Sequence, residues 1–254
     1  MMNKILHEYF TVSDGVKLHY RKGGEGPPLI LLNGFFGNIE SFGNNYKELD
    51  RHYTVYNLEF RAHGKSDVPE SGMHIARFAK DLSEFIKYLG YDKVYIGAHS
   101  MGNAVVWCYM MLFGQEKINK YILIDEAPCL VARPEWNAIE QESYMGLLNT
   151  EKGIWDKTFF DWLDPEVEKE RQLLLLLSDH LSKDWRNEVK QIKVPTLILM
   201  GGGSHFASER LWVWMVKMIK GSRLVVIPKE DGGSHGMFVD NPEKFNEIVI
   251  EFLG

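Results

Sequence analysis

The stretch "YIGAHSMGNA" (residues 95–104) decides the fold, because it joins a short apolar strand to an apolar helix through a single serine. Ser100 is the central residue of the pentapeptide AHSMG. A serine held on such a tight strand-to-helix turn adopts strained backbone angles, and the turn closes only if the residues two before and two after it are small. Ala98 and Gly102 meet this requirement. Because the following helix also points its N-terminus at Ser100, we interpret this residue as a nucleophile.

The composition limits the class of protein. The 254 residues are 45% apolar and 25% charged, which is ordinary for a soluble globular chain and enough for one large α/β domain. The net charge of −6 argues against a nucleic-acid partner, since such proteins usually carry a basic patch. Cys108 and Cys129 lack metal-ligand spacing, and no apolar run resembles a signal peptide or a membrane span. We therefore expect a soluble cytoplasmic protein with no membrane partner.

Strand patterns and helix patterns alternate along most of the chain. Alternating residues flank Asp14-Gly15 like a hairpin, and residues 74–89 place apolar side chains at helical spacing before Gly90. Strands are predicted at residues 8–13, 16–22, 27–33, 52–60, 93–98, 120–125, 194–200 and 223–228, and helices at 74–89, 101–113, 207–219 and 242–253.

This order of elements predicts an α/β protein with a mostly parallel, eight-stranded sheet and helices on both faces. Residues 129–190 interrupt the pattern, because they contain several helical runs rich in Trp, Phe and Leu but no strand-like run. We predict a helical cap at residues 129–190. It would be inserted after the sixth strand of a core domain formed by residues 1–128 and 191–254.

With these features the chain resembles the α/β-hydrolase family over nearly all of its length. The segment "AHSMGNAVVWCYMMLFG" is similar to the branch of small esterases and cofactor-free haloperoxidases, which implies a serine hydrolase without a metal or an organic cofactor. "LLNGFFGN" (residues 31–38) matches the family's oxyanion loop, with Asn33-Gly34 where the family often has His-Gly. By that match the backbone N–H groups of Phe35 and Met101 would hold the developing oxyanion.

The segment "EDGGSHGMFVDNPEKFNEIVIEFL" (residues 230–253) resembles the closing segment of the family. His235 follows a predicted strand and lies seven residues before Pro242, which opens the last predicted helix. Of the nine histidines, His235 is therefore the candidate general base. We expect His99, beside the serine, to be a packing residue.

The acid of a Ser-His-acid triad is missing from its usual place in the family. That place is the loop in "LILMGGGSHF" (residues 197–206), which contains no carboxylate. Some branches of the family, such as certain haloalkane dehalogenases and the zearalenone lactonases, carry the acid after the sixth strand instead. An ungapped match from Ile118 puts Asp125 there, one strand nearer to the serine, and we predict Asp125 as the acid. The alternatives left open are Glu126, Glu230 and Asp231.

A serine nucleophile restricts the reaction, because the epoxide hydrolases and dehalogenases of this family use a carboxylate. We expect acyl transfer to water, with a small-to-medium neutral ester or lactone as the small-molecule substrate. Perhydrolase or haloperoxidase-like chemistry and carbon–carbon bond hydrolysis are alternatives. Outside enzymology, the alternatives are a ligand receptor and a pseudoenzyme on the same scaffold. The candidate pocket residues are Phe36, His205 and Trp136.

Overall fold

The computed structural model describes residues 5–130, 163–204 and 209–254. Its strands are β1 (Leu6–Thr11), β2 (Lys17–Gly23), β3 (Pro28–Leu32), β4 (Thr54–Leu58), β5 (Val94–His99), β6 (Ile118–Ile124), β7 (Thr196–Gly201) and β8 (Arg223–Ile227). Its helices are α1 (Gly43–Leu49), α2 (Ile75–Leu89), α3 (Met101–Phe113), α4 (Glu168–Leu181), α5 (Arg186–Val189), α6 (Glu209–Met218), α7 (Met237–Asp240) and α8 (Pro242–Leu253).

The eight strands form one sheet in the order β1-β2-β4-β3-β5-β6-β7-β8. Strand β2 runs antiparallel to both of its neighbours, and all other neighbouring pairs are parallel. Every residue of β4 and β7 is buried, whereas exposure alternates along the edge strand β1. This difference explains why the inner strands are continuous apolar runs and the first strand alternates. The predicted mostly parallel, eight-stranded sheet is confirmed.

Both faces of the sheet are covered by apolar cores. Side chains alternate between the faces along β3, so that Ile30 and Leu32 belong to one core and Leu29 and Leu31 to the other. Helices α2, α3 and α4 contribute to the first core, and α1 and α8 to the second. Helix α2 ends where the sequence predicted, at Gly90, which has a φ of 74°. Helix α3 is buried from Met101 to Met110, so its apolar residues occupy all sides.

The predicted cap falls mostly on residues 131–162, which lie outside the described residues. Its two described ends lie side by side: the Trp185 N–H donates to the Pro128 carbonyl at 2.6 Å, and Cys129 forms an antiparallel bridge with Asp184. Helix α4 from the far end packs Leu173 and Leu176 into the first core. The division into core and cap stays a prediction. No helix among the described residues has both the length and the apolarity needed to cross a bilayer.

Parallel strands end at the same edge of the sheet, and the candidate site residues lie in the loops that follow these ends. Ser100 follows β5, Asp125 follows β6, and His235 follows β8. The candidate oxyanion loop at 33–38 follows β3, and the glycine loop continues from Gly201, the last residue of β7. The crevice outside the carboxyl ends of the strands is where an open α/β sheet binds its ligands.

Candidate active site

Ser100 occupies a strained turn between β5 and α3. Its φ of 50° and ψ of −129° put a non-glycine residue at positive φ, and such strain is common at functional sites. The turn closes because Gly102 has no side chain: a Cβ atom there would lie 2.9 Å from the Asn33 carbonyl oxygen. The Ser100 N–H also donates to the Ile124 carbonyl at 3.0 Å, which ties the turn to the end of β6.

Asn103 is a polar residue in the otherwise apolar first turns of α3, and it braces the serine turn. Its side-chain amide donates to the Ser100 carbonyl at 3.1 Å and to the Ile124 carbonyl at 3.0 Å. Its Oδ1 atom accepts a hydrogen bond from the Tyr121 hydroxyl at 2.6 Å. Asn103 and Tyr121 are fully buried, so each of these polar groups depends on the others. The sequence analysis missed this role, although a buried asparagine in an apolar helix is a usable signal.

Asp125 lies directly beside the candidate base. Its Oδ2 atom is 2.6 Å from Nδ1 of His235. Asp125 is completely buried and has a φ of 43°, so it is held in a second strained backbone conformation next to the serine turn. A carboxylate only accepts hydrogen bonds, so Nδ1 of His235 carries the proton and Nε2 is left as a base.

The end of β7 and the glycine loop after it contribute hydrogen-bond donors to Asp125. The Gly201 N–H donates to Oδ1 at 3.0 Å, and the Ser204 hydroxyl donates to Oδ2. Glycine is needed here because a Cβ atom on Gly201 would lie 2.3 Å from the carbonyl oxygen of Ser234, next to the base. The loop thus packs against the His235 loop and surrounds a carboxylate that the neighbouring strand supplies. The donor role of Ser204 was not part of the sequence prediction.

His235 lies in the loop between β8 and α7, with 27% of its side chain exposed. His99 contacts it in two ways: the Nε2–H of His99 donates to the His235 carbonyl at 2.8 Å, and the two ring centroids are 4.4 Å apart. The Phe238 ring also packs edge-on against His99, with the ring centroids 4.7 Å apart. Burial, reinforced by the neighbouring His235, holds the pKa of His99 well below its usual 6.5, so His99 is a neutral packing residue.

The candidate oxyanion loop approaches Ser100 closely. A Cβ atom on Gly34 would lie 2.8 Å from Cβ of Ser100, so only glycine allows this approach. The Gly37 N–H closes a turn onto the Gly34 carbonyl at 3.1 Å, and Phe36 within this turn has a φ of 65°. Phe35 precedes it in the turn, and Met101 is the first residue of α3, where backbone N–H groups have no partner within the helix.

The remaining candidates occupy different surroundings. Glu126 is buried, and its Oε2 atom lies 3.7 Å from Nε2 of His180. Glu230 and Asp231 are exposed on the 3-10 turn Lys229–Asp231. The Phe36 ring is 40% exposed and 4.9 Å from the Phe35 ring. Two pocket candidates, His205 and Trp136, lie outside the described residues.

Comparison with known proteins shows which family the chain belongs to. The sequence model described as alpha/beta hydrolase fold matches residues 27–180, more than half of the chain. The AB hydrolase superfamily protein YisY of Bacillus subtilis (strain 168) is 28% identical, and the match covers 96% of this chain and 98% of the relative. A putative non-heme chloroperoxidase of Synechocystis sp. is 25% identical, with 96% and 99% covered.

Among solved structures, the esterase EaEST of Exiguobacterium antarcticum superposes with a TM-score of 0.79. The superposition covers 97% of this chain and 99% of the esterase, at 24% sequence identity. At that identity the likeness shows the fold alone. Together with the family match, it confirms the resemblance that the serine turn predicted. The chain therefore belongs to the α/β-hydrolase fold family.

Proposed function

We propose that this hydrolase cleaves a small-to-medium, neutral carboxylic ester or lactone through an acyl-enzyme on Ser100. His235 acts as the general base and Asp125 orients it. The observation that carries the proposal is the 2.6 Å contact between Asp125 and His235, at the same sheet edge as a serine in a strained strand-to-helix turn. This is the combination that nucleophilic catalysis by serine requires.

The steps follow from this arrangement. The Ser100 hydroxyl oxygen attacks the carbonyl carbon of the substrate, while Nε2 of His235 takes its proton. The negative charge that develops on the carbonyl oxygen is held by the N–H groups of Phe35 and Met101. The bond to the alcohol then breaks, and the alcohol leaves with the proton from His235. A water molecule, deprotonated by the same histidine, attacks the acyl-enzyme and releases the acid and free Ser100.

The charge of the surrounding groups supports a neutral substrate. Burial raises the pKa of Glu126 to about 8 and lowers the pKa of His180 to about 4. Both are therefore mostly uncharged near pH 7, as is His99. Asp125 is the charged partner of His235, and its carboxylate accepts hydrogen bonds from Gly201 and Ser204. Among the described residues few charges lie near the serine, which favours uncharged acyl and alcohol groups.

A second candidate is peracid formation. The Synechocystis relative bears the name of a chloroperoxidase, as does a relative from Kitasatospora aureofaciens, which is 24% identical. The same acyl-enzyme would serve, with hydrogen peroxide rather than water as the attacking group. Its test is the formation of peracid from acetate and hydrogen peroxide.

The deciding experiment is covalent labelling followed by turnover. A fluorophosphonate probe is expected to label the wild-type protein and to leave Ser100→Ala unlabelled. Aryl esters of graded acyl length and simple lactones are then assayed, and short acyl groups are expected to react faster than long-chain triglycerides. Labelling of Ser100→Ala at the wild-type rate would overturn the assignment of the nucleophile. A labelled protein that turns over no ester or lactone would point to a receptor instead.

A further inference from the structure

Two buried asparagines lie where β3 passes into the candidate oxyanion loop. Asn33 is the first residue after β3 and is 2% exposed, and Asn57, on the neighbouring strand β4, is completely buried. Asn57 lies two residues after Val55, on the face of β4 that belongs to the second apolar core. An amide side chain is costly to bury there unless it is hydrogen-bonded, so the partners of the two asparagines show what they do. The catalytic steps described above use neither side chain.

The two amides form a chain of hydrogen bonds that ends on the sheet. Nδ2 of Asn57 donates to the Leu31 carbonyl at 3.1 Å, and Leu31 lies opposite Asn57 in the parallel pair of β3 and β4. Nδ2 of Asn33 donates to Oδ1 of Asn57 at 3.0 Å. Because a carbonyl oxygen only accepts, Asn57 presents Nδ2 to Leu31, and its Oδ1 is left for Asn33. Asn57 therefore ties the Asn33 side chain to the sheet.

The bond to Asn57 is the main polar anchor of the Asn33 side chain. Oδ1 of Asn33 is buried and has no hydrogen-bond partner among the described residues. Nδ2 is thus the atom through which the side chain is held. An amide that loses this bond keeps the cost of its burial and gains nothing in return. Loss of Asn57 is therefore expected to free Asn33 to move.

Asn33 in turn packs against the loop that it begins. A Cβ atom on Gly37 would lie 2.6 Å from Cβ of Asn33 and 3.3 Å from its Cγ, so the two residues are in close contact. The Gly37 N–H closes the turn onto the Gly34 carbonyl, and Phe35 lies within this turn. The Asn33 carbonyl oxygen would be 2.9 Å from a Cβ atom on Gly102, in the serine turn. Asn33 thus contacts both the Phe35 turn and the serine turn.

We propose that Asn57 is a positioning residue of the oxyanion hole: by holding Asn33, it fixes the loop so that the Phe35 N–H meets the carbonyl oxygen of the substrate. An oxyanion donor is effective only at about 2.7–3.1 Å from the place that the charged oxygen takes in the transition state. A small shift of the loop therefore weakens this stabilisation while Ser100 and His235 stay in place. Asn57 itself does not touch the substrate. This inference rests on the proposed function, which assigns the donor role to Phe35.

The test compares p-nitrophenyl butyrate with its thiono analogue, in which sulfur replaces the carbonyl oxygen. Sulfur accepts hydrogen bonds only weakly, so an aligned oxyanion hole favours the oxygen ester. The measured quantity is the ratio of the two kcat/KM values, oxygen ester over thiono ester, divided by the ratio of their rates of hydrolysis by hydroxide. The protonation of His235 and the folded fraction of the protein affect both substrates alike, so they cancel. We expect the wild-type protein to prefer the oxygen ester.

Asn57→Leu removes the amide with little change in volume. We expect the ratio to fall about tenfold, because removal of a whole oxyanion donor costs about 10²–10³-fold and here the donor is displaced rather than removed. The kcat value for the oxygen ester should fall with KM little changed. Thr54→Val, at the start of the same strand, is the matched control, since it removes a side-chain hydrogen bond to the Gly26 carbonyl at 2.9 Å. It should keep the wild-type ratio even if it lowers Tm.

Asn33→Ala breaks the same bond from the side of the loop, and it provides the measurement if Asn57→Leu does not fold. A similar fall in the ratio is expected. The double variant shows whether Asn57 acts through Asn33. If it does, adding Asn57→Leu to Asn33→Ala changes the ratio little further, whereas two independent effects multiply. Far-UV circular dichroism identifies the folded variants.

The failures are distinguishable. A wild-type protein that hydrolyses both esters, with an unchanged ratio in whichever of Asn57→Leu and Asn33→Ala folds, overturns this inference and leaves the proposed function intact. Effects that multiply in the double variant also overturn it, because Asn57 then does not act through Asn33. A wild-type protein that hydrolyses neither ester and resists the fluorophosphonate probe overturns the proposed function and this inference with it.

Discussion

The hydroxyl group of Ser204 donates to Oδ2 of Asp125, the same oxygen that lies 2.6 Å from Nδ1 of His235. The loop that lacks the family's usual acid therefore contacts the carboxylate that we assign to that role. The Gly201 N–H binds the other oxygen at 3.0 Å. With both oxygens held, the carboxylate can rotate little, and the imidazole it binds is held in one orientation.

The first prediction concerns the charge of Asp125. Asp125→Asn keeps the shape of the side chain but can present an N–H to Nδ1, which then loses its proton and leaves the wrong tautomer of His235. In another serine hydrolase the equivalent change costs about 10⁴-fold in turnover, and we expect a loss of about 10²–10⁴-fold in kcat here. The assay is hydrolysis of p-nitrophenyl acetate, with far-UV circular dichroism to show that the fold is retained.

The controls for this prediction are the other three candidate acids. Glu126→Gln, Glu230→Gln and Asp231→Asn should each reduce hydrolysis of p-nitrophenyl acetate much less than Asp125→Asn. If Asp125→Asn keeps most of its activity while one of these three variants loses most of its own, the residue changed in that variant is the catalytic acid. If all four variants stay active, Ser100 and His235 work as a dyad.

The second prediction concerns the donor from the glycine loop. Ser204→Ala removes one charge-assisted hydrogen bond from the Asp125 carboxylate, and such bonds contribute roughly 1.5–3 kcal/mol. Because Asp125 is then held less firmly, it orients His235 less well. We therefore expect kcat to drop about three- to thirtyfold, with KM little changed. Ser234→Ala, in the neighbouring loop, is the comparison variant: its hydroxyl group donates to Asp240 and accepts the Gly236 N–H at 2.9 Å, so it affects the loop of His235 and removes none of the described hydrogen bonds to Asp125. Equal losses in both variants would show a general loosening of the loops rather than an effect on Asp125.

The third prediction tests whether a carboxylate at position 204 can replace the carboxylate of Asp125. Ser204→Asp places a negative group where the Ser204 hydroxyl now meets Asp125. In the Asp125→Asn background this carboxylate can approach Nδ1 of His235, and we expect it to restore part of the lost kcat. In the wild-type background two carboxylates would face each other, and we expect lower activity and stability from their repulsion. The comparison of the two backgrounds is the measurement, and a substitution that harms both equally would contradict the exchange of roles.

The serine turn and the strands that carry the site could be predicted from the sequence, because each depends on residues that are close together in the chain. The serine turn needs small residues at fixed offsets, and continuous apolar runs indicate the strands that are buried on both faces, so Ser100 and the strand ends follow from the pattern. The absence of an acid from the glycine loop was also visible, and it directed attention to Asp125.

The contacts between loops could not be predicted in the same way, because they depend on how distant strands pair. Ser204 meets Asp125 only because β6 and β7 pair with Ile124 opposite Leu199. A shift of one residue in that register would turn the side chains to the opposite face. The contact between Glu126 and His180 likewise depends on where α4 packs, and a lone histidine on a helix gives no sequence signal for it.

The fourth prediction concerns the hydrogen bonds by which Asn103 holds the serine turn. Asn103→Leu removes one of the two donors from each of the Ser100 and Ile124 carbonyls, which keep a backbone N–H donor, and it leaves the buried Tyr121 hydroxyl without its acceptor. The unpartnered hydroxyl costs about 1–3 kcal/mol, and each lost amide bond about 0.5–1.5 kcal/mol. We expect Tm to fall by roughly 5–15 °C, since about 1 kcal/mol corresponds to 2–4 °C in a chain of this size. Tyr121→Phe removes one partner only and should cost much less. If Asn103→Leu and Tyr121→Phe lower Tm by the same amount, the bonds to the two carbonyls contribute nothing.

The fifth prediction concerns the fall in the free energy of unfolding at low pH. His63 is buried, and burial lowers its pKa from 6.5 to about 4, although its Nδ1–H donates to the Arg61 carbonyl at 2.9 Å. Between pH 6.5 and 4 the unfolded chain therefore binds a proton at this residue that the folded chain does not. The stability that neutral His63 provides is complete above pH 6.5 and is lost as the pH falls towards 4. His180, with a pKa of about 4, adds to the same trend.

His63→Gln and His180→Gln each remove one of these protons, and the expected result is a shallower fall in the free energy of unfolding between pH 6.5 and 4. The difference between the wild type and either variant would approach about 3 kcal/mol at pH 4, since one pKa unit corresponds to 1.36 kcal/mol. Urea unfolding at several pH values measures it, and both variants are compared with the wild type at pH 8, where any difference reports packing alone. Parallel curves for the wild type and both variants would mean that these two histidines titrate alike in the folded and unfolded chains.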